Sequence, residues 1–101
     1  MQANWSFDQA AIWDDWHQRV GAPLQQDWAY GASMKMLGVS VLRVVIEQDG
    51  APVAIAQFLL RCWGAAVALV LCSRGPVWLH ALSPDDKKKV YRLIKTSLPL
   101  A

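Results

Sequence analysis

The sequence is poor in charged residues, in cysteine and in the residue clusters that usually carry catalysis. Charged side chains make up 18% of the 101 residues and hydrophobic ones 54%, a composition too apolar for a disordered chain. The two cysteines, Cys62 and Cys72, lie in apolar runs, where a thiol behaves as a small hydrophobic group. Because neither a disulfide-framework spacing nor a signal-peptide pattern is present, the sequence predicts a cytoplasmic protein.

The usual motifs of catalytic and cofactor sites are also missing. His17 and His80 stand at no metal-ligand spacing with cysteine, no glycine-rich loop precedes a helix, and no serine elbow occurs. We therefore predict no catalytic residue, no metal and no cofactor in this chain. The adjacent carboxylates Asp14 and Asp15 are interpreted as a solvated helix surface. The net charge of +2 is too small to indicate DNA binding.

Helix signals place two helices in the first third of the chain and one at its end. A capping box beginning at Ser6 predicts the start of the first helix, which Gly21 ends. The second is predicted over about Gln25–Leu37, with an apolar stripe formed by Leu24, Trp28, Ala32 and Met36. Ser83 and Pro84 predict a third helix over about Pro84–Leu98.

Three apolar segments between these helices have the pattern of strands. Val39–Glu47 and Val53–Arg61 flank a strong hairpin signal, Asp49-Gly50. Ala66–Cys72 is apolar on both faces, as in a strand with helices on each side. Polar residues within the run 53–72 argue against a transmembrane segment. The prediction is an α+β fold of order α-α-β-β-β-α, in which helices flank an antiparallel three-strand meander. Such a sheet has two open edges, which favour pairing with another strand.

Two segments on either side of the strands carry a resemblance to a known family. Residues 23–38, PLQQDWAYGASMKMLG, and residues 73–78, SRGPVW, stand in the order seen in the N-terminal half-domain of the Fem-type peptidoglycan aminoacyltransferases, a GNAT-like fold. The chain resembles that half-domain over about residues 22–98. We therefore expect residues 1–101 to be a single partial GNAT-like domain, truncated and inactive alone.

The resemblance implies a substrate class and a set of binding residues. Fem-type enzymes transfer an amino acid from aminoacyl-tRNA to the stem peptide of a peptidoglycan precursor, in the cytoplasm at the inner membrane face. Lys35 and Arg74 are the cations expected to meet the precursor diphosphate, with Tyr30 and Gly75 beside them. Coenzyme A is not expected as a cofactor, because Pro76 follows the single glycine of the turn and offers no N–H.

Two other functions remain open at this stage. The chain could be a non-catalytic interaction module that binds a partner chain, or a second copy, through an open sheet edge and its tryptophan-rich first helix. It could also be a GNAT acetyltransferase acting on a small amine.

Overall fold

An antiparallel sheet forms the middle layer of the structure, a computed structural model that describes residues 1–63, 67–71 and 75–99. The strands in those residues are β1 (Gln2–Asn4), β2 (Ser40–Gln48), β3 (Ala51–Trp63), β4 (Val67–Leu71) and β5 (Val77–Trp78). The helices are α1 (Ala10–Arg19), α2 (Trp28–Met36) and α3 (Pro84–Ser97), with a 3₁₀ turn (Leu24–Gln26) before α2. Across these described ranges no helix is long and apolar enough to cross a membrane.

The α+β class and the antiparallel meander of β2, β3 and β4 are confirmed. Asp49 and Gly50 form the predicted turn between β2 and β3, both with positive φ, 53° and 80°. The predicted element order is wrong in detail, because β1 precedes α1 and β5 lies between β4 and α3. Both added strands are too short to show a periodicity, and each is defined only by pairing with a distant strand.

The helices cover opposite faces of the sheet. Trp13 of α1 is fully buried on one face, in a cluster with Val45, Ile55 and Val77. On the other face Val90 and Ile94 of α3 pack with alternating residues of β2 and β3, which are Val44, Ile46, Ala54, Ala56 and Phe58. This alternation places successive strand residues in two separate cores. The sheet is therefore buried on both sides over its central part.

The first helix begins later than the sequence predicts. Ser6 is not its cap: the Asn4 carboxamide oxygen accepts from the Ser6 backbone N–H at 2.9 Å, and α1 begins at Ala10. The flanking aromatics are used for packing, since Trp5 joins the α3 side and Phe7 the α1 side. The third helix follows its prediction closely, with the Ser83 hydroxyl accepting from the Asp86 N–H at 3.1 Å.

The predicted second helix is interrupted at Asp27. This residue is extended and accepts from the Ala29 N–H at 3.2 Å, so it caps α2 and separates it from the 3₁₀ turn. The predicted apolar stripe therefore does not form one buried face: Leu24 is 64% exposed and Met36 is 88% exposed, whereas Trp28 packs against the Trp13 cluster. Gly31 is the α2 residue buried against the sheet instead.

The edges of the sheet are only partly covered. β1 pairs with β2 at residues 45–47. On the other side of β3, β5 pairs with Ala54 and Ile55 and β4 pairs with residues 59–63, which leaves a gap at Gln57. No strand within the described residues pairs with the second edge of β4.

Candidate functional site

The structure places three of the four predicted binding residues, while Arg74, like Cys72, lies outside the described residues. Lys35 is exposed and Tyr30 is half-buried, both on α2. The two positions are five residues apart, which corresponds to about 140° around a helix axis. Their side chains therefore leave α2 in different directions. A role for these residues in substrate binding stays a prediction.

Gly75 lies against the side chain of Gln26. A Cβ atom on Gly75 would stand 2.7 Å from the Gln26 Cδ, closer than real carbon contacts allow. The glycine in the SRGPVW segment thus has a packing role, because it lets the loop before β5 lie directly on the buried carboxamide.

The Gln26 carboxamide fills the gap in the sheet between β4 and β5. Its oxygen accepts from the Gln57 backbone N–H at 2.7 Å, and its nitrogen donates to the Gln57 carbonyl oxygen at 3.2 Å. These are the two bonds that a neighbouring strand residue would make with Gln57. Gln26 is fully buried, so a side chain from the helical layer takes the place of a strand.

The side chain of Gln57 ties the sheet to the start of α2. Its nitrogen donates to the carbonyl oxygens of Asp27, at 2.8 Å, and Gln25, at 3.3 Å, and its oxygen accepts from the Arg43 Nε at 2.8 Å. Gly31 packs on the same carboxamide, which leaves no room for a Cβ atom. Every polar atom of this buried side chain is thus hydrogen-bonded, as burial requires.

Arg43 completes this network from the adjacent strand. Its guanidinium carbon lies 3.6 Å from the centre of the Trp28 ring, and its Nη2 donates to the Trp28 carbonyl oxygen at 3.0 Å. Burial lowers the pKa of Arg43, and the Asp14 carboxylate opposes that change. The Arg43 guanidinium therefore stacks on the Trp28 ring and donates to two acceptors, the Gln57 side-chain oxygen and the Trp28 carbonyl oxygen.

Asp14 is half-buried beside the network, contrary to its interpretation as part of a solvated surface. Its Oδ1 is buried and has no hydrogen-bond partner among the described residues. Burial raises the pKa of Asp14, and Asp27 adds to the rise, while His17 and Arg43 oppose it. Asp15, one residue on, is exposed and forms an ion pair with Arg19 at 2.8 Å.

We call this set of contacts the polar network; its residues are Gln26, Gln57, Arg43 and Trp28. Its role is structural, because it holds the start of α2 on the sheet. Its polar groups bond to one another and to backbone atoms, which leaves none of these bonds directed at a substrate. A sequence signal for it exists, because Arg43 and Gln57 interrupt apolar runs on either side of the Asp49-Gly50 turn, and the hairpin then pairs them with each other. The contribution of Gln26 has no such signal, since it depends on the path of a loop.

A half-open pocket of about 250 Å³ lies on the same side of the sheet, beyond the end of α1. Its lining comes from three separate parts of the chain and consists of Trp16, Arg19, Val20, Pro52, Leu79 and His80. None of these residues is predicted from sequence as a binding residue, because their proximity depends on the hairpin and on β5.

The chain matches no protein-family model, and searches of curated proteins and of solved structures also find no match. The functional argument therefore depends on the fold and on its contacts.

Proposed function

We propose that this chain is part of an acyltransferase-type domain, in the position of the N-terminal half-domain of the Fem-type aminoacyltransferases, and that another polypeptide segment completes its sheet. The second edge of β4, with which no strand of the described residues pairs, carries the proposal. A segment of a larger domain or of a companion chain would supply the missing strand.

The arrangement of the elements supports this proposal. The meander β2–β3–β4 follows two helices that cover one face, and it is followed by β5 and then by α3, which covers the other face. This agrees with the order of segments on which the resemblance is based. The supporting observation concerns architecture, and the substrate comes from the resemblance alone.

The proposed substrate is a diphosphate-linked peptidoglycan precursor, with aminoacyl-tRNA as the amino-acid donor. Lys35 is exposed on α2 and free to meet an anionic group, and Tyr30 stands half-buried on the same helix. Gly75 begins the described part of the neighbouring loop. A cytoplasmic location at the inner membrane face belongs to the same proposal.

A titration of the isotope-labelled chain with a nucleotide-linked stem-peptide precursor, followed by NMR, tests this function. We expect shifts confined to α2 and residues 75–79, and a Kd weakened about threefold in Lys35→Gln, as for an exposed charge contact. Lys95→Gln changes another exposed lysine, on α3; it is the matched control and should leave the Kd unchanged. Absence of shifts at high precursor concentration, or equal effects of both variants, would contradict the proposal.

A non-catalytic interaction module is the second candidate, favoured by the same edge and by exposed apolar residues in the 3₁₀ turn before α2 and at the C-terminal end of α2. Leu24 and Leu37 are 64% and 78% exposed. The backbone N–H of Gln57 points to the β4 side of β3, and the direction alternates along a strand, so residues 59, 61 and 63 also direct their backbone groups towards β4. Their hydrogen-bonded partners on β4 are residues 71, 69 and 67, respectively. Ala68 and Val70 therefore direct their backbone N–H groups to the free edge.

Light scattering on proline variants of β4 tests this second function. Val70→Pro removes an N–H from the free edge only, and should abolish self-association while the circular dichroism spectrum is kept. Leu69→Pro removes an N–H bonded to β3 and should disrupt the hairpin itself. A wild-type chain that is monomeric at all concentrations would exclude self-association through this edge.

A further inference from the structure

The pocket beyond α1 is built from three segments that the fold holds at fixed positions. Trp16, Arg19 and Val20 come from the end of α1, Pro52 from the start of β3, and Leu79 and His80 from the segment after β5. The Leu79 N–H donates to the Val53 carbonyl oxygen at 2.9 Å, which extends the β5 pairing and fixes that wall.

Two side chains of the pocket are held in place by neighbours. The Trp16 ring stacks on Phe7, with ring centres 5.4 Å apart and an angle of 29°. The Arg19 guanidinium is held at the rim by its 2.8 Å ion pair with Asp15. Such prior ordering lowers the entropic cost of binding a ligand.

The chemistry of the lining combines apolar walls with hydrogen-bond donors. Trp16, Val20, Pro52 and Leu79 offer an aromatic and aliphatic surface, whereas Arg19 and His80 supply N–H groups. An arginine edge is well matched to a carboxylate. We propose that this pocket binds a small aromatic monocarboxylate, with its ring against Trp16 and its carboxylate at Arg19 and His80. This proposal is independent of the proposed acyltransferase function.

The end of α1 borders this pocket, and the last carbonyl groups of a helix attract cations. The carbonyl oxygens of Gln18 and His17 each accept one hydrogen bond, from the Gly21 and Ala22 N–H groups at 3.2 Å and 3.1 Å. The selection of an acid therefore depends on the donors Arg19 and His80.

The size of the pocket limits the ligand to one or two rings. Its volume of about 250 Å³ falls below the roughly 300–1,000 Å³ typical of pockets for drug-sized molecules. A ligand of this size bound in a half-open pocket has an expected Kd of about 1 mM.

Three probes that share an indole ring but differ in charge test the proposal: indole-3-acetate, neutral 3-methylindole and tryptamine. NMR titration of the labelled chain should show indole-3-acetate binding tightest, with shifts at the Trp16 indole N–H and at residues 79 and 80. In Arg19→Gln the Kd of the acid should rise about threefold, to that of 3-methylindole.

An arginine on the opposite face of the sheet provides the control variant. Arg92→Gln removes an exposed arginine of α3, on the opposite face of the sheet, and should leave all three affinities unchanged. Tryptamine binding as tightly as the acid, shifts located away from the pocket, or an unchanged acid affinity in Arg19→Gln would each overturn the proposal. Failure of the precursor titration would leave it unaffected.

Discussion

Replacing Gln57 by alanine is expected to lower the free energy of unfolding by about 3 kcal/mol, because several buried groups lose their partners at once. The carbonyl oxygens of Asp27 and Gln25 lose a donor, and the Arg43 Nε loses an acceptor. A space also opens beside Gly31, which packs on the same carboxamide. Urea unfolding followed by circular dichroism measures the change.

Two further variants separate the causes of this loss. Gln57→Leu keeps most of the volume but none of the side-chain hydrogen bonds, and should remain almost as unstable as Gln57→Ala. Gln48→Ala truncates a half-buried glutamine at the end of β2 and should cost well under about 1 kcal/mol. A stability of Gln57→Leu equal to that of the wild type would show that packing, and not polar pairing, is what Gln57 provides.

Trp13→Ala should be even more harmful, with a loss of about 3–5 kcal/mol. Trp13 is fully buried, contacts the Phe7 and Trp28 rings, and donates from Nε1 to the Gln26 carbonyl oxygen at 2.9 Å. Small domains have a total stability of only about 5–15 kcal/mol, so this variant should have a much reduced Tm or be unfolded at 37 °C. Thermal unfolding followed by far-ultraviolet circular dichroism is the measurement.

Conservative and matched replacements define the specificity of that result. Trp13→Phe keeps an aromatic ring but loses the hydrogen bond, and should cost about 1–2 kcal/mol beyond the smaller packing area. Trp5→Ala removes a half-buried indole from the α3 side, where Nε1 donates to the Ser97 hydroxyl at 3.0 Å. If Trp5→Ala lowers the Tm as much as Trp13→Ala, the α1 core is not the more important one.

The parts of the fold that local chemistry specifies can be predicted from the sequence. The Asp49-Gly50 turn needs two positive φ angles, and the strands on either side pair as the alternation indicates. The last helix has a serine cap, a proline in its first turn and an apolar face, and it begins at the predicted residue. In both places the signal lies within a few consecutive residues.

The incorrect predictions depend on contacts between distant residues. The Ser6 capping box is locally acceptable, yet Trp5 and Phe7 enter cores on opposite faces, and the intervening chain cannot then begin a helix. The stripe containing Leu24 and Met36 assumes one continuous helix, whereas the Asp27 cap changes its direction. A hydrophobic periodicity does not reveal where a helix is interrupted when the residues at that point are compatible with both a helical and an extended backbone.

The candidate sites follow the same division. Lys35 and Tyr30 are placed on a helix as the sequence predicts, and their role in binding a precursor stays a prediction. The pocket of Trp16, Arg19 and His80 has no counterpart in the sequence, because it exists only where α1, the β2–β3 hairpin and the segment after β5 meet. Because the walls of the pocket come from three separate segments, its residues have no fixed spacing in the sequence that a motif could capture.

Because the Gln57 N–H donates to the side chain of Gln26, its hydrogen exchange reports whether the helical layer is packed on the sheet. The Gln57 N–H is buried in the sheet, but the atom it bonds belongs to the 3₁₀ turn beside α2. When that turn moves away, the N–H loses its acceptor even if every strand stays paired. Hydrogen exchange at Gln57 would thus measure how often the helical layer separates from an intact sheet, while exchange at Ile55, which pairs with Val77, would measure the opening of β5.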